Sequence, residues 1–259
     1  MNIILAVFIF ILGTIIGSFL NVIILRYNTG RGVTGRSACF SCGGAIKWFS
    51  LVPVLSFVAQ RGKCKNCKSK ISFQYPIVEL MTGLLFLALF WKFGFGNLFF
   101  YFFISALLII IAVYDFNHKI VPDGVVYLLI LSALARLVYQ YFVFGDMNAT
   151  LSFLVGGIIS MFLSALWLFS NGRWMGLGDA KLVLGLGWLL PPCQGASAFI
   201  LSFWIGAVVG IILMLFQKTR MTSEIPFAPF LIAGFFIVLI LDVNLLYLPS
   251  ASCLIGFKL

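Results

Sequence analysis

The feature that most limits how this chain can fold is the recurrence of apolar runs about as long as a bilayer is thick. Residues 3–25 carry no charged side chain, and similar runs return at about 76–93, 98–114, 124–144, 150–170, 196–216 and 226–248. Roughly 20 apolar residues suffice for a helix to cross the hydrocarbon core. Inside lipid every backbone N–H and C=O must be paired within the protein, which leaves only helices and closed barrels. Barrel strands alternate apolar and polar positions, and these runs do not alternate. Composition points the same way: 63% of residues are hydrophobic and 9% charged, against roughly 25% charged in a globular chain. The expected fold is an all-α polytopic membrane protein with about eight transmembrane helices.

The links between the runs carry the turn chemistry. Gly94-Phe95-Gly96-Asn97 and Gly145-Asp146-Met147-Asn148 are short turn signals, and Pro122-Asp123-Gly124 closes a hydrophilic link from Phe116 to Asp123. A sixth span ends at Pro191-Pro192 and, counted from Ala180, is too short to cross. It is expected either to begin near Arg173 or to be a partial span. No cleavable signal peptide is evident, so 3–25 reads as a retained first span. The domain reading is therefore a span at 1–25, a loop at 26–75 and a membrane domain at 76–259.

A net charge of +10 would suit nucleic acid, but its distribution argues for a membrane and no nucleic-acid partner. Nine Lys/Arg lie between Arg26 and Lys70, and no acidic residue occurs before Glu79. Placing loop 26–75 on the cytoplasmic side puts 14 of the 17 basic residues inside, as the positive-inside rule requires. Both termini then face outward. Glu79, Asp115, Asp123, Asp179 and Glu224 then fall at the cytoplasmic border, and Asp146 and Asp242 at the other face.

Within Met175-Gly176-Leu177-Gly178-Asp179-Ala180-Lys181 a carboxylate stands between apolar stretches. An acid in such a place costs several kcal/mol and is a functional candidate by default. Gly176 and Gly178 allow positive φ and close backbone approach, so they suggest a break where an extended peptide could lie beside Asp179. The plainer reading makes Asp179 the N-cap of the next helix. Asp115 stands 64 residues earlier, also where a span meets the cytoplasmic border. Two carboxylates sharing a proton can act as an acid–base pair: the charged one takes a proton from water, the neutral one donates to a carbonyl oxygen. Asp123 reads as a turn residue, His118 as a polar loop residue, and Glu79 as an acid in the first turn of its helix. Glu224, before Ile225-Pro226, fits either a helix cap or a substrate contact.

Loop 26–75 holds two CxxC pairs, Cys39/Cys42 and Cys64/Cys67, with 21 residues between them. Four thiolates at this spacing fit tetrahedral zinc, and a loop of this size has too little core to fold unaided. Four Cys ligands leave no open position, so the zinc would be structural. Redox CxxC pairs and structural disulfides are the alternatives, the latter disfavoured in a reducing cytoplasm. Cys193 and Cys253 both fall on the outer side and read as inert thiols, with a pairing between them as the alternative.

Tyr114-Asp115 and Gly176-Leu177-Gly178-Asp179 resemble the YD and GxGD motifs of intramembrane aspartyl proteases. The rest of the chain resembles the bacterial type IV prepilin leader peptidases within that group. The resemblance runs through Gly17-Ser18-Phe19-Leu20-Asn21-Val22, Arg36-Ser37-x-Cys39-x-x-Cys42, Gly62-Lys63-Cys64-x-x-Cys67 and Tyr75-Pro76-Ile77-Val78-Glu79-Leu80. It continues through Ile120-Val121-Pro122-Asp123, Gly176-x-Gly178-Asp179-x-Lys181 and Ile225-Pro226-Phe227-Ala228-Pro229-Phe230. Phe40 departs from the family, which has Pro after the first Cys. The resemblance implies removal of the basic leader of prepilins or pseudopilins at a Gly–Phe-type junction by Asp115 and Asp179. It also implies N-methylation of the new amino terminus with S-adenosylmethionine, and residence in the bacterial cytoplasmic membrane. No Gly-rich strand–turn–helix in loop 26–75 marks an S-adenosylmethionine site. Two other classes remain at this point: a membrane thiol–disulfide oxidoreductase using the four cysteines, and a transporter, whose sites lie nearer the bilayer midplane.

Overall fold

The computed structural model describes residues 3–29, 32, 35, 38–39, 41–46, 48–216 and 225–246. The described residues form nine α-helices and no strand: α1 Ile3–Arg26, α2 Leu55–Ala59, α3 Gln74–Phe93, α4 Leu98–His118, α5 Asp123–Phe144, α6 Met147–Ser170, α7 Leu177–Leu189, α8 Pro192–Leu215 and α9 Ala228–Leu241. Six of them (α1, α3, α4, α5, α6 and α8) are long and apolar enough to cross a membrane. The expected sixth and eighth spans are shorter. α7 has 13 residues and starts at Leu177, not near Arg173, because Asn171 takes a left-handed conformation that ends α6 and residues 172–176 stay non-helical. α9 has 14 residues and stops at Leu241, where Asp242 is left-handed.

The chain forms two compact units, Met1–Ile110 and Ile111–Leu259, with the division inside α4. In the first, α1 packs along α3. Their approach is close enough that a Cβ on Gly17 would sit 2.9 Å from the Glu79 Cα, the small-residue contact by which membrane helices gain dispersion energy without a hydrophobic drive. Buried Asn21 donates from Nδ2 to the Tyr75 carbonyl at 3.3 Å, tying α1 to the first turn of α3. Phe86 stacks on Phe102, and Phe93 on Tyr101, with ring centroids 3.9 and 4.0 Å apart.

In the second unit α7 is packed by α5, α6, α8 and α9. Nine of its 13 residues are buried, as befits a helix that is apolar on every side. Backbone groups here are also bound by side chains: Ser160 Oγ donates to the Ala180 carbonyl at 2.8 Å and Trp188 Nε1 to the Phe153 carbonyl at 3.2 Å. α7 is thus a short central helix held from all sides, and Asp179 lies in its first turn.

Candidate active site

Asp115 lies in the last turn of α4, which continues past the expected end at Tyr114-Asp115 to His118. The carboxyl is 4% exposed. Its Oδ2 accepts a hydrogen bond at 3.3 Å from the backbone N–H of Ala228, the first residue of α9. The first N–H groups of any helix lack intrahelical partners, so the start of α9 offers Asp115 a fixed donor. The Pro226-Phe227-Ala228-Pro229 stretch carries this donor. Nothing in side-chain chemistry marks Ala228 as a site residue. The sequence signal is a proline flanking each side of a helix start.

Asp179 is 8% exposed and stands third in α7, after the N-cap Gly176. It is therefore not the N-cap. Its carboxylate instead takes a hydrogen bond from the Gly176 backbone N–H, the reach-back half of a capping box. The glycines do not act through positive φ: Gly176 is extended at φ −78°, ψ 145°, and Gly178 is helical. Gly178 is needed for space. A Cβ there would lie 2.7 Å from the Cβ of Val121 in the link that follows Asp115's helix. The two carboxylates lie within electrostatic reach of one another.

A second contact joins the same link to α7. Lys181 Nζ lies 2.8 Å from Asp123 Oδ1 and 3.2 Å from the Tyr127 hydroxyl, with the Tyr127 ring centroid at 5.1 Å. Asp123, expected to serve only the turn, opens α5 and holds this cation. His118 is exposed, and its ring stacks on Tyr114 with Nδ1 3.2 Å from the Tyr114 carbonyl oxygen.

In the first unit Cys39, Cys42, Cys64 and Cys67 converge, with their sulfurs within 4.8 Å of one another. Two matching knuckles deliver them. The bridge Ala38–Ala45 closes one and Lys63–Lys70 the other. In each, the first cysteine's N–H donates across the turn, Cys39 to the Gly44 carbonyl and Cys64 to the Ser69 carbonyl. The left-handed residue after the second cysteine is Gly43 in one and Lys68 in the other.

Tetrahedral coordination at about 2.3 Å separates sulfurs by about 3.8 Å, and Cys39 Sγ to Cys67 Sγ is 3.8 Å. The N–H groups of Cys42 and Ser41 pull the Cys39 thiol down to about 6, and the Ser69 hydroxyl lowers Cys67. The Gly44 N–H lowers Cys42, but the neighbouring Cys67 and Cys39 sulfurs outweigh it and push that thiol up to about 11. Crowded thiolates need a cation between them, and the donor set fits a metal ion.

Glu79 is buried, and its Oε2 accepts from the Val54 N–H at 2.7 Å. Cys193 is disulfide-bonded, so it is not the inert thiol expected. Cys253, Glu224, Arg36, Ser37 and Phe40 lie outside the described residues.

What the second unit defines is a helical membrane protein with two buried aspartates at helix ends. Residues 101–211 match the type IV leader peptidase family, and residues 11–93 match the bacterial peptidase A24 N-terminal domain. The chain belongs to the type IV leader peptidase family. It is 34% identical over 229 residues to the prepilin leader peptidase/N-methyltransferase of Bacillus subtilis, covering 87% of this chain and 90% of that one. Against the protein of the same name from Pseudomonas aeruginosa it is 31% identical over 285 residues, covering 96% and 93%. The Myxococcus xanthus namesake is 34% identical over 217 residues, covering 81% of this chain and 63% of its own. No solved structure matches the chain. These relatives give the thiol–disulfide oxidoreductase reading no support.

Proposed function

We propose that this protein is a membrane aspartyl endopeptidase that removes the basic leader of type IV prepilins or pseudopilins and N-methylates the new amino terminus. The observation that carries the peptidase half is the pair Asp115 and Asp179: two buried carboxylates within electrostatic reach, at the end of α4 and the start of α7. In this reaction the ionised carboxylate takes a proton from water as its oxygen attacks the scissile carbonyl carbon. The protonated carboxyl donates to the carbonyl oxygen. Collapse of the tetrahedral intermediate breaks the C–N bond, and the leaving nitrogen takes up a proton. Gly176 supports Asp179 through its N–H, and Gly178 leaves room for Val121 beside it.

The charge distribution favours eight passes, both termini outside and the aspartates at the cytoplasmic border of a bacterial inner membrane. A basic leader followed by an apolar helix would present its junction at that border. Loop 26–75 would carry the methyltransferase part and 76–259 the peptidase. Zinc held by Cys39, Cys42, Cys64 and Cys67 would be structural, fixing the two knuckles. The relatives are named N-methyltransferases, and the methyl donor such a reaction would draw on in this chain is S-adenosylmethionine. The cavity between α1 and residues 51–53 does not fit that molecule: Ser18 is its one hydroxyl among Ile15, Phe19, Val22, Leu51 and Pro53, and the donor bears an ammonium, a carboxylate and a sulfonium.

The test is membranes carrying Asp115→Asn or Asp179→Asn incubated with a prepilin, followed by amino-terminal sequencing of the product. Asn keeps the shape but cannot cycle a proton, so neither variant should cut while both still insert. Cleavage near the wild-type rate by either variant refutes the pair.

A further inference from the structure

Loop 26–75 is basic at both ends but not in its middle. Residues 48–59, Trp-Phe-Ser-Leu-Val-Pro-Val-Leu-Ser-Phe-Val-Ala, carry no charge and only two polar side chains. A run this short cannot cross a bilayer, but it has the length of a re-entrant or interfacial segment. It folds as a 3₁₀ turn, Trp48–Leu51, followed by α2.

Its depth can be read from both neighbouring helices. Leu51 and Pro53 line a cavity with Ile15, Ser18, Phe19 and Val22 of α1. Those residues precede Arg26, where α1 ends, by four to eleven positions, or about 6–16 Å along the helix. Val54 donates its N–H to Glu79, which lies five residues after Gln74 in α3, about 7 Å from that helix's start. α1 and α3 are both long and apolar enough to span, and the Pro53-Val54 tip lies against turns inside both helices rather than at their ends.

The backbone at the tip is itself unusual. Val54 has φ 59° and ψ −52°, an outlier for a β-branched residue, and the Leu55 N–H bonds back to the Pro53 carbonyl in a γ-turn, a rare and strained conformation. Irregular backbone at membrane depth persists only where protein supplies the partners that water cannot. Glu79, 6% exposed, supplies one to Val54 and also takes the Ser18 hydroxyl. This carboxylate, unused by the peptidase chemistry, anchors the tip to both α1 and α3.

The other side of the segment is bare. Leu55 is 68% and Val58 67% exposed, and Val52 is exposed as well. Beyond α2 come Arg61, Lys63, Lys65, Lys68 and Lys70, all exposed, a cationic stretch suited to anionic headgroups. We propose that residues 48–59 form a re-entrant segment that inserts Val52, Leu55 and Val58 among lipid acyl chains, holding the cysteine knuckles against the bilayer surface. The proposal rests on α1 and α3 being spans, not on the aspartate chemistry.

The test uses the full chain in nanodiscs of phosphatidylcholine and phosphatidylglycerol, with trifluoromethyl-phenylalanine placed singly at Phe8, Val58 or Lys65. Relaxation of each 19F signal is measured with dissolved oxygen, which concentrates in lipid, and with an aqueous nickel chelate. Phe8, exposed on α1, is the lipid reference and Lys65 the water reference. At position 58 oxygen should relax the signal several-fold more than nickel, as at position 8, and position 65 should show the reverse. Nickel-dominated relaxation at 58 with a lipid-like signal at 8 overturns the re-entrant segment and leaves the spans intact. Protection of 58 from both agents also overturns it, since protein rather than lipid would then cover the face. A nickel-dominated signal at 8 would refute α1 as a span and the proposal with it.

Discussion

Replacing Gly178 with Ala sets two physical expectations against each other. By helix propensity alone the change should help, since Ala is favoured over Gly by about 1 kcal/mol in a helix. By geometry it should harm, because the new Cβ would lie 2.7 Å from the Cβ of Val121. Carbon atoms pack best at about 3.5–4.0 Å, so α7 or the 119–122 link must yield by about 1 Å. Overpacking of this kind costs about 1–3 kcal/mol, which offsets the propensity gain and leaves stability little changed or modestly lower. Activity is the sharper readout. The yielding atoms adjoin Asp179 on one side and lead from Asp115 on the other, and a misplacement of about 1 Å can cost about 10²-fold in rate.

The assay is cleavage of a prepilin by purified enzyme in detergent, alongside thermal unfolding. Gly178→Ala should cut about 10²-fold more slowly while its Tm falls only slightly. Val121→Gly removes the opposing Cβ, so the double variant should recover most of the lost rate. Wild-type activity in Gly178→Ala, or a double variant no better than the single one, refutes the steric account.

Purified protein should hold about one zinc per chain, and Cys67→Ser should lose it and depress N-methylation more than cleavage. Elemental analysis and mass spectrometry of the product's amino-terminal peptide check both parts, and metal-free wild-type protein would end this reading. For Lys181 and Asp123, with side chains 26% and 61% exposed, solvent screening limits the pair to roughly 0.5–1 kcal/mol of coupling. A double-mutant cycle on unfolding free energy with Lys181→Met and Asp123→Asn measures it, and coupling of several kcal/mol would contradict the exposed geometry.

The spanning helices were legible because lipid leaves few ways to satisfy a backbone, so an apolar run of sufficient length reads as a helix. α1, α5 and α6 begin and end within about three residues of their apolar runs. What escaped was set by contacts between distant residues. That Gly178 serves packing rather than a backbone break depends on Val121, 57 positions earlier. The donor to Asp115 is a backbone N–H at Ala228, and a main-chain group has no letter in the sequence. Residues 48–59 were hidden by their neighbours, since nine basic residues made the whole loop read as water-facing. Four cysteines in pairs were readable because metal geometry constrains spacing directly, whereas no spacing rule brings Asp115 to Asp179.

The donors that serve the two aspartates have something in common beyond position. Each is a main-chain amide at the start of a helix, Gly176 for Asp179 and Ala228 for Asp115. A hydroxyl or a water can turn toward whichever oxygen is momentarily charged, and its turning adds reorganisation energy to every proton transfer. A peptide amide fixed at the start of a packed helix cannot turn. As one carboxyl of the proposed pair gains a proton from water and the other gives one up to the carbonyl oxygen, these dipoles stay where folding left them, so the barrier carries little contribution from the scaffold. Such rigidity also restricts what can be altered: no side-chain substitution at 176 or 228 removes the donor except proline, which lacks the N–H altogether.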